Sequence, residues 1–147
     1  MAGRRAGDLT PTWRFLLGAA WFLAFFAYAA IWNASVQIGI GTWWVGPRAQ
    51  PTTTLVRLVP FVLCLGVALC VLYNTRRLIL TSALAAGLTA IGAIPDFSRS
   101  PGLGIAEMAV AVFLAIVTAA SLTGRYRRAE SVTMKPVTSP PLPPPLH

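Results

Sequence analysis

The chain has 147 residues, 56% hydrophobic and only 11% charged, whereas soluble globular domains run about 45–50% apolar and about 25% charged. Its net charge is +8, yet long stretches carry no charge at all and the basic residues sit between them. That distribution excludes an ordinary soluble domain and a separate catalytic domain, and it directs the arginines at anionic lipid headgroups rather than at nucleic acid.

Four apolar runs approach the roughly 20 residues that a helix needs to cross a hydrocarbon core of about 30 Å. A basic stretch, residues 1–12, precedes the first run, Trp13–Trp32, which carries only Arg14 near its start. Arg4, Arg5 and the small-residue set Ala27-Tyr28-Ala29 imitate a secretory signal. The run is longer and more aromatic than a signal core, and Trp13 and Trp32 stand where interface anchors belong, so an uncleaved span is expected. Asn33-Ala34-Ser35 matches a glycosylation sequon at the membrane edge, where no modification is expected.

The connection Asn33–Thr54 is too apolar for an open aqueous loop: Val36, Ile38, Ile40, Trp43, Trp44 and Val45 crowd into it, while Gly39, Gly41 and Gly46 oppose a long helix. The expected form is a short interfacial or re-entrant segment, with the Trp43 and Trp44 rings at headgroup level and their indole N–H groups in water. It is a candidate lid, docking patch or anchor.

The second run, Leu55–Tyr73, has Arg57 near its start, Pro60 in its first turns, and Cys64 and Cys70 farther along. Six residues of helix separate these thiols by about 9 Å, too far for a mutual disulfide. The joint Asn74–Arg77 is short enough to force the second and third runs to be antiparallel neighbours. The third run, Leu78–Ile94, is uncharged; a short joint, Pro95–Gly102, holds Asp96 and Arg99 and leads to the fourth run, Leu103–Leu122, which carries Glu107.

Backbone groups in lipid must bond within their own segment, so the expected fold is all-α: a polytopic four-helix transmembrane bundle spanning residues 13–123, with a Trp-rich outer interfacial loop. Arg4, Arg5, Arg14, Arg76, Arg77, Arg125, Arg127, Arg128 and Lys135 fall on one side, and Arg48, Arg57 and Arg99 on the other. The positive-inside rule puts both termini in the cytoplasm, and an inner (plasma) membrane is the expected location. Residues 124–147 read as a basic stretch followed by an extended proline-rich tail, and terminal His147 has no role.

Small residues recur at a spacing of four in Ala20/Ala24, Ala83/Gly87, Ala86/Ala90 and Ala111/Ala115/Ala119, which allows close helix packing within the bundle or against another envelope membrane protein. Glu107 and Arg57 lie at similar depth, and burying them as a pair costs less than burying either alone. A Glu107–Arg57 pair extended by Asp96 and Arg99 is therefore expected, either stapling helices or lining an outward-facing pocket for a polar or anionic ligand. Trp43 and Trp44 are the candidate docking residues. No CxxC, no Cys/His cluster, no G-x-S-x-G and no phosphate loop is present, so no metal, cofactor or enzymatic activity is expected. These features leave two expectations: a non-catalytic accessory, assembly or scaffold component of a bacterial envelope, or a small transporter or flippase.

Overall fold

The computed structural model describes residues 9–45, 53–75 and 77–124. The basic N-terminus, the loop stretch with Arg48, Arg76 and the proline-rich tail lie outside the described residues. The described residues form α1 (Pro11–Ile38), α2 (Thr54–Leu72), α3 (Leu78–Arg99) and α4 (Pro101–Ser121), closed by one 3-10 turn, Leu122–Gly124. They contain no strand, and all four helices are long and apolar enough to cross a membrane, as in a multi-pass membrane protein.

Three of the expected boundaries move. The first helix does not stop at Trp32 but continues to Ile38, because its polar residues find partners on the helix or just past its end. Gln37 donates to Asn33 one turn back at 3.1 Å, and the Ser35 hydroxyl turns inward and donates to the Ile40 carbonyl. Gly39, at φ 78°, then ends the helix by sending its N–H to the Ser35 carbonyl at 2.9 Å, in a conformation that suits glycine. The third helix runs through Pro95 to Arg99, and the fourth begins at Pro101. The expected loop Pro95–Gly102 thus shrinks to Ser100, and Asp96 and Arg99 belong to the last turns of α3 rather than to a loop. Proline lacks a helical N–H, but its own carbonyl still accepts the Ser98 hydroxyl at 2.9 Å, and Ser100 N–H reaches the Asp96 carbonyl at 2.7 Å.

The short α2–α3 joint is built by a capping motif that the sequence encodes. Asn74 takes a left-handed conformation, φ 50°, which asparagine tolerates better than most residues. Thr75 N–H then bonds the Cys70 carbonyl at 3.1 Å and Asn74 N–H bonds the Val71 carbonyl at 3.3 Å, the two reverse bonds of a Schellman motif. Arg14 of α1 completes this end, its guanidinium donating to the Val71 carbonyl at 2.9 Å. A cation at a helix C-terminus opposes the negative end of the helix dipole, which gives Arg14 a role inside an apolar segment.

α1 packs on α2 and α4, while α3 packs most extensively on α4 and more sparsely on α2. The buried faces follow three-and-four spacing: Gly104, Glu107, Ala111, Leu114, Thr118 and Ser121 on α4, and Ser82, Ala85, Thr89, Ala93 and Asp96 on α3. The opposite faces expose Phe15, Phe22, Leu84, Leu88, Ile91 and Ile116.

One hydrogen-bonded chain crosses the middle of the core. Trp21 donates its indole N–H to the Ser82 hydroxyl at 2.9 Å, Ser82 and Thr118 hydroxyls meet at 2.8 Å, and Thr118 donates to the Leu114 carbonyl at 2.7 Å. With the last donation fixed, Ser82 is the donor to Thr118, so three helices are joined with every hydroxyl proton used. Such interhelical bonds contribute about 0.6 kcal/mol each on average in membrane proteins.

The small-residue faces divide between two surroundings. Ala20, Ala24, Ala86 and Ala111 are buried within the packed helices, whereas Ala83, Gly87, Ala115 and Ala119 are exposed. The exposed set borders a surface groove of about 410 Å³ between α3 and α4. Cys64 is buried, Cys70 is half-buried, and both are free thiols.

Candidate functional site

The site forms where α1 ends and α3 turns into α4. After Gly39 the chain folds back over the helices instead of running outward. Thr42 N–H bonds the Val45 carbonyl at 2.7 Å and the Thr42 hydroxyl receives Val45 N–H at 3.0 Å, closing a tight turn across residues 42–45. This turn drives Trp44 and Val45 into the core, where Trp44 is 1% exposed.

Two carboxyl groups hold the turn. Trp43 backbone N–H donates to Asp96 Oδ1 at 2.8 Å, and the Trp44 indole N–H donates to Glu107 Oε1 at 2.7 Å. The Trp44 ring is wedged edge-to-face against Tyr28 of α1 at 5.8 Å and Phe61 of α2 at 5.9 Å. One indole thus touches three helices through its rings and its single donor. The expectation of a wet indole at headgroup level does not hold for Trp44, because a buried carboxyl supplies the acceptor that water was expected to supply.

Asp96 is 0% exposed and Glu107 1% exposed. They come together because α3 and α4 meet almost backbone to backbone beside them. A Cβ on Gly104 would lie 2.9 Å from the Phe97 nitrogen and 3.0 Å from the Asp96 carbonyl carbon. Gly104 is one turn before Glu107 on the same face, so this close approach brings Glu107 against Asp96. The two carboxyl groups lie within hydrogen-bonding reach of each other. Among the described residues no donor from another group reaches Asp96 Oδ2. Ionised carboxylates only accept, so a bond between these two groups needs a proton held between them.

The sequence places Asp96, Glu107, Trp43 and Trp44 near one end of the helices, and the structure brings these four into direct contact. It does not bring Arg57 to Glu107: the contacts of Glu107 are with Trp44 and Asp96. Equal depth along two helices fixes a layer but not which way each side chain faces, and the buried face of α4 turns Glu107 toward α3. Arg99 is exposed on the last turn of α3, close enough to act on Asp96 electrostatically. Tyr28 was missed by the sequence reading; its signal is the α1 stripe of Leu17, Ala20, Trp21, Ala24, Tyr28 and Ile31, which is buried throughout.

Glu107 also faces a cavity of about 260 Å³ whose inner wall includes Tyr28, Trp43, Trp44, Thr89 and Gly92. Val59 of α2 and Leu88 and Ile91 of α3 line its other side and are themselves exposed, so the cavity opens between α2 and α3. No set of three or more His, Cys, Asp or Glu suited to a metal ion occurs among the described residues. Comparison with protein-family models, with curated proteins and with solved structures finds no match to this chain.

Proposed function

We propose that the protein is a small carrier of a bacterial inner membrane: a transmembrane four-helix bundle, with both termini cytoplasmic, whose working site is the Asp96–Glu107 pair. The observation that carries this reading is the burial of two adjoining carboxyl groups beneath a tryptophan turn. Holding that turn requires only two acceptors, which asparagine and glutamine provide without an ionisable group. Burying ions costs several kcal/mol apiece, and ionisable groups inside membrane proteins characteristically mark substrate or proton pathways. A pair that shares one proton can exchange it for a substrate.

Glu107→Gln separates carrying from mere fastening. Glutamine keeps an acceptor for the Trp44 indole, so stability in detergent is expected to stay within about 1 kcal/mol of the parent. Glu107→Leu removes the acceptor of the Trp44 indole and is expected to cost about 1–3 kcal/mol. Substrate-dependent flux in proteoliposomes is expected to vanish in both. Flux that survives in Glu107→Gln would leave the pair as a fastening alone.

The proposed orientation rests on the nine basic residues on one side against three on the other. Single cysteines at positions 48 and 99 are expected to react with an impermeant maleimide from outside whole cells, and cysteines at 75 and 126 only after permeabilisation. The reverse pattern would invert the topology.

A second reading, as a non-catalytic accessory or assembly component, is favoured by the groove between α3 and α4. Its exposed Ala83, Gly87, Ala115 and Ala119 let a helix of another envelope membrane protein approach closely.

A further inference from the structure

The cavity beside Glu107 combines three properties that narrow what it can hold. Its mouth is apolar, formed by the exposed Val59 of α2 and Leu88 and Ile91 of α3. Its inner wall is aromatic, with Tyr28, Trp43 and Trp44. Its polar end is acidic: Glu107 lines it, with Asp96 immediately behind. Asp96 Oδ2 is fully buried and receives no donor from elsewhere among the described residues, and the Asp96 side chain adjoins Glu107. Two adjoining carboxyl groups away from water favour sharing a proton over carrying two charges. The cavity wall presents a carboxyl group where a polar or anionic ligand was expected.

We propose that this cavity binds a hydrophobic organic ammonium ion, which enters sideways from the membrane between α2 and α3 and rests against the Glu107 carboxyl. This rests on the reading of Asp96–Glu107 as the working site and names its substrate class. Aromatic rings attract a cation through their negative faces, most strongly where water is excluded. The Glu107 carboxyl at the polar end suits a monocation, and the apolar mouth accepts a ligand dissolved in lipid. At about 260 Å³ the cavity suits a small aryl or alkyl ammonium, since sites for drug-sized molecules run from about 300 Å³ upward.

The test uses the full chain in detergent and tryptophan fluorescence, because Trp43 and Trp44 line the cavity. Three probes of similar size are titrated: benzyltrimethylammonium, its uncharged isostere neopentylbenzene, and benzylsulfonate. The cation is expected to bind at least tenfold more tightly than either of the others. Glu107→Gln is expected to weaken it at least tenfold. Leu88→Trp, which narrows the mouth without touching the carboxyl groups, is expected to weaken it similarly and keeps the test decisive should the Glu107 variant not fold.

Equal binding of neopentylbenzene would reduce the cavity to an apolar crevice and overturn the proposal. Undiminished cation binding in Glu107→Gln, or preference for the sulfonate, would overturn it as well. Glu107-dependent flux of another solute without ammonium binding would remove this ligand class and leave the carrier. Glu107-dependent ammonium binding without flux would keep the ligand class and remove the carrier.

Discussion

Gly104→Ala is expected to destabilise the protein by about 1–3 kcal/mol and Gly104→Val by about 3 kcal/mol or more, read as loss of thermal stability in detergent. The cause is local and backbone-made. The added Cβ would stand 2.9 Å from the Phe97 nitrogen and 3.0 Å from the Asp96 carbonyl carbon, and neither can swing aside as a side-chain tip does. Relief requires α4 to move away from the last turns of α3, which separates Glu107 from Asp96. Any substrate flux through the pair is therefore expected to fall together with stability. Gly102→Ala is the control: its Cβ meets nothing within 4 Å, and replacing a helical glycine with alanine is expected to be neutral or to stabilise by up to about 1 kcal/mol. Equal behaviour of the two variants would refute the close approach as the device that unites the carboxyl groups.

Trp44→Ala carries the other large expected effect, a loss of about 3–5 kcal/mol. The ring is wedged against Tyr28 and Phe61 and is 1% exposed. Its removal leaves a cavity among three helices and takes the indole donor from Glu107. Trp44→Phe divides the two contributions, keeping most of the ring while leaving Glu107 without that donor, for an expected cost of about 1–3 kcal/mol. Trp32 is a suitable contrast, because it is exposed and touches Phe61 from outside at 5.8 Å. Trp32→Phe is expected to change stability by less than 1 kcal/mol. A Trp44→Ala protein as stable as the parent would show that the turn at residues 42–45 contributes little to holding the helices together.

The four helices were legible in the sequence because each is announced by a long apolar run, and the fold requires little more than run length to find them. Their ends were not, and the reasons are specific. Asn33, Ser35 and Gln37 read as the start of a loop, yet Gln37 donates to Asn33 one turn back and Ser35 faces inward. Pro95 read as a stop, yet α3 carries on for one more turn past it. The candidate residues Asp96, Glu107, Trp43 and Trp44 were all visible as polar or aromatic groups out of keeping with their surroundings. Their partners were not visible, because rotation of each helix about its axis decides who meets whom. The three-and-four spacing of Ser82, Thr89 and Asp96 on α3, and of Gly104, Glu107 and Ala111 on α4, does carry that rotation. It identifies Asp96 and Glu107 as members of facing stripes, a stronger signal than their depth.

The opposite end of the helices has a different consequence. There Thr10 N–H bonds the Gly124 carbonyl at 2.9 Å, and Gly124 lies close against the Trp13 indole, so the start of α1 and the end of α4 are held side by side. The α2–α3 joint, Asn74–Arg77, emerges at that same end. Among the described residues α1 contacts α2 and α4, and α3 contacts α4 and α2, so at this end one seam, α1–α4, is open and the other, α2–α3, is bridged by the chain. Joining the open seam and cutting the bridged one would reverse the order of the hairpins without changing the direction of any helix. Such a permuted chain is expected to keep the same helix packing, read as thermal stability in detergent close to the parent's.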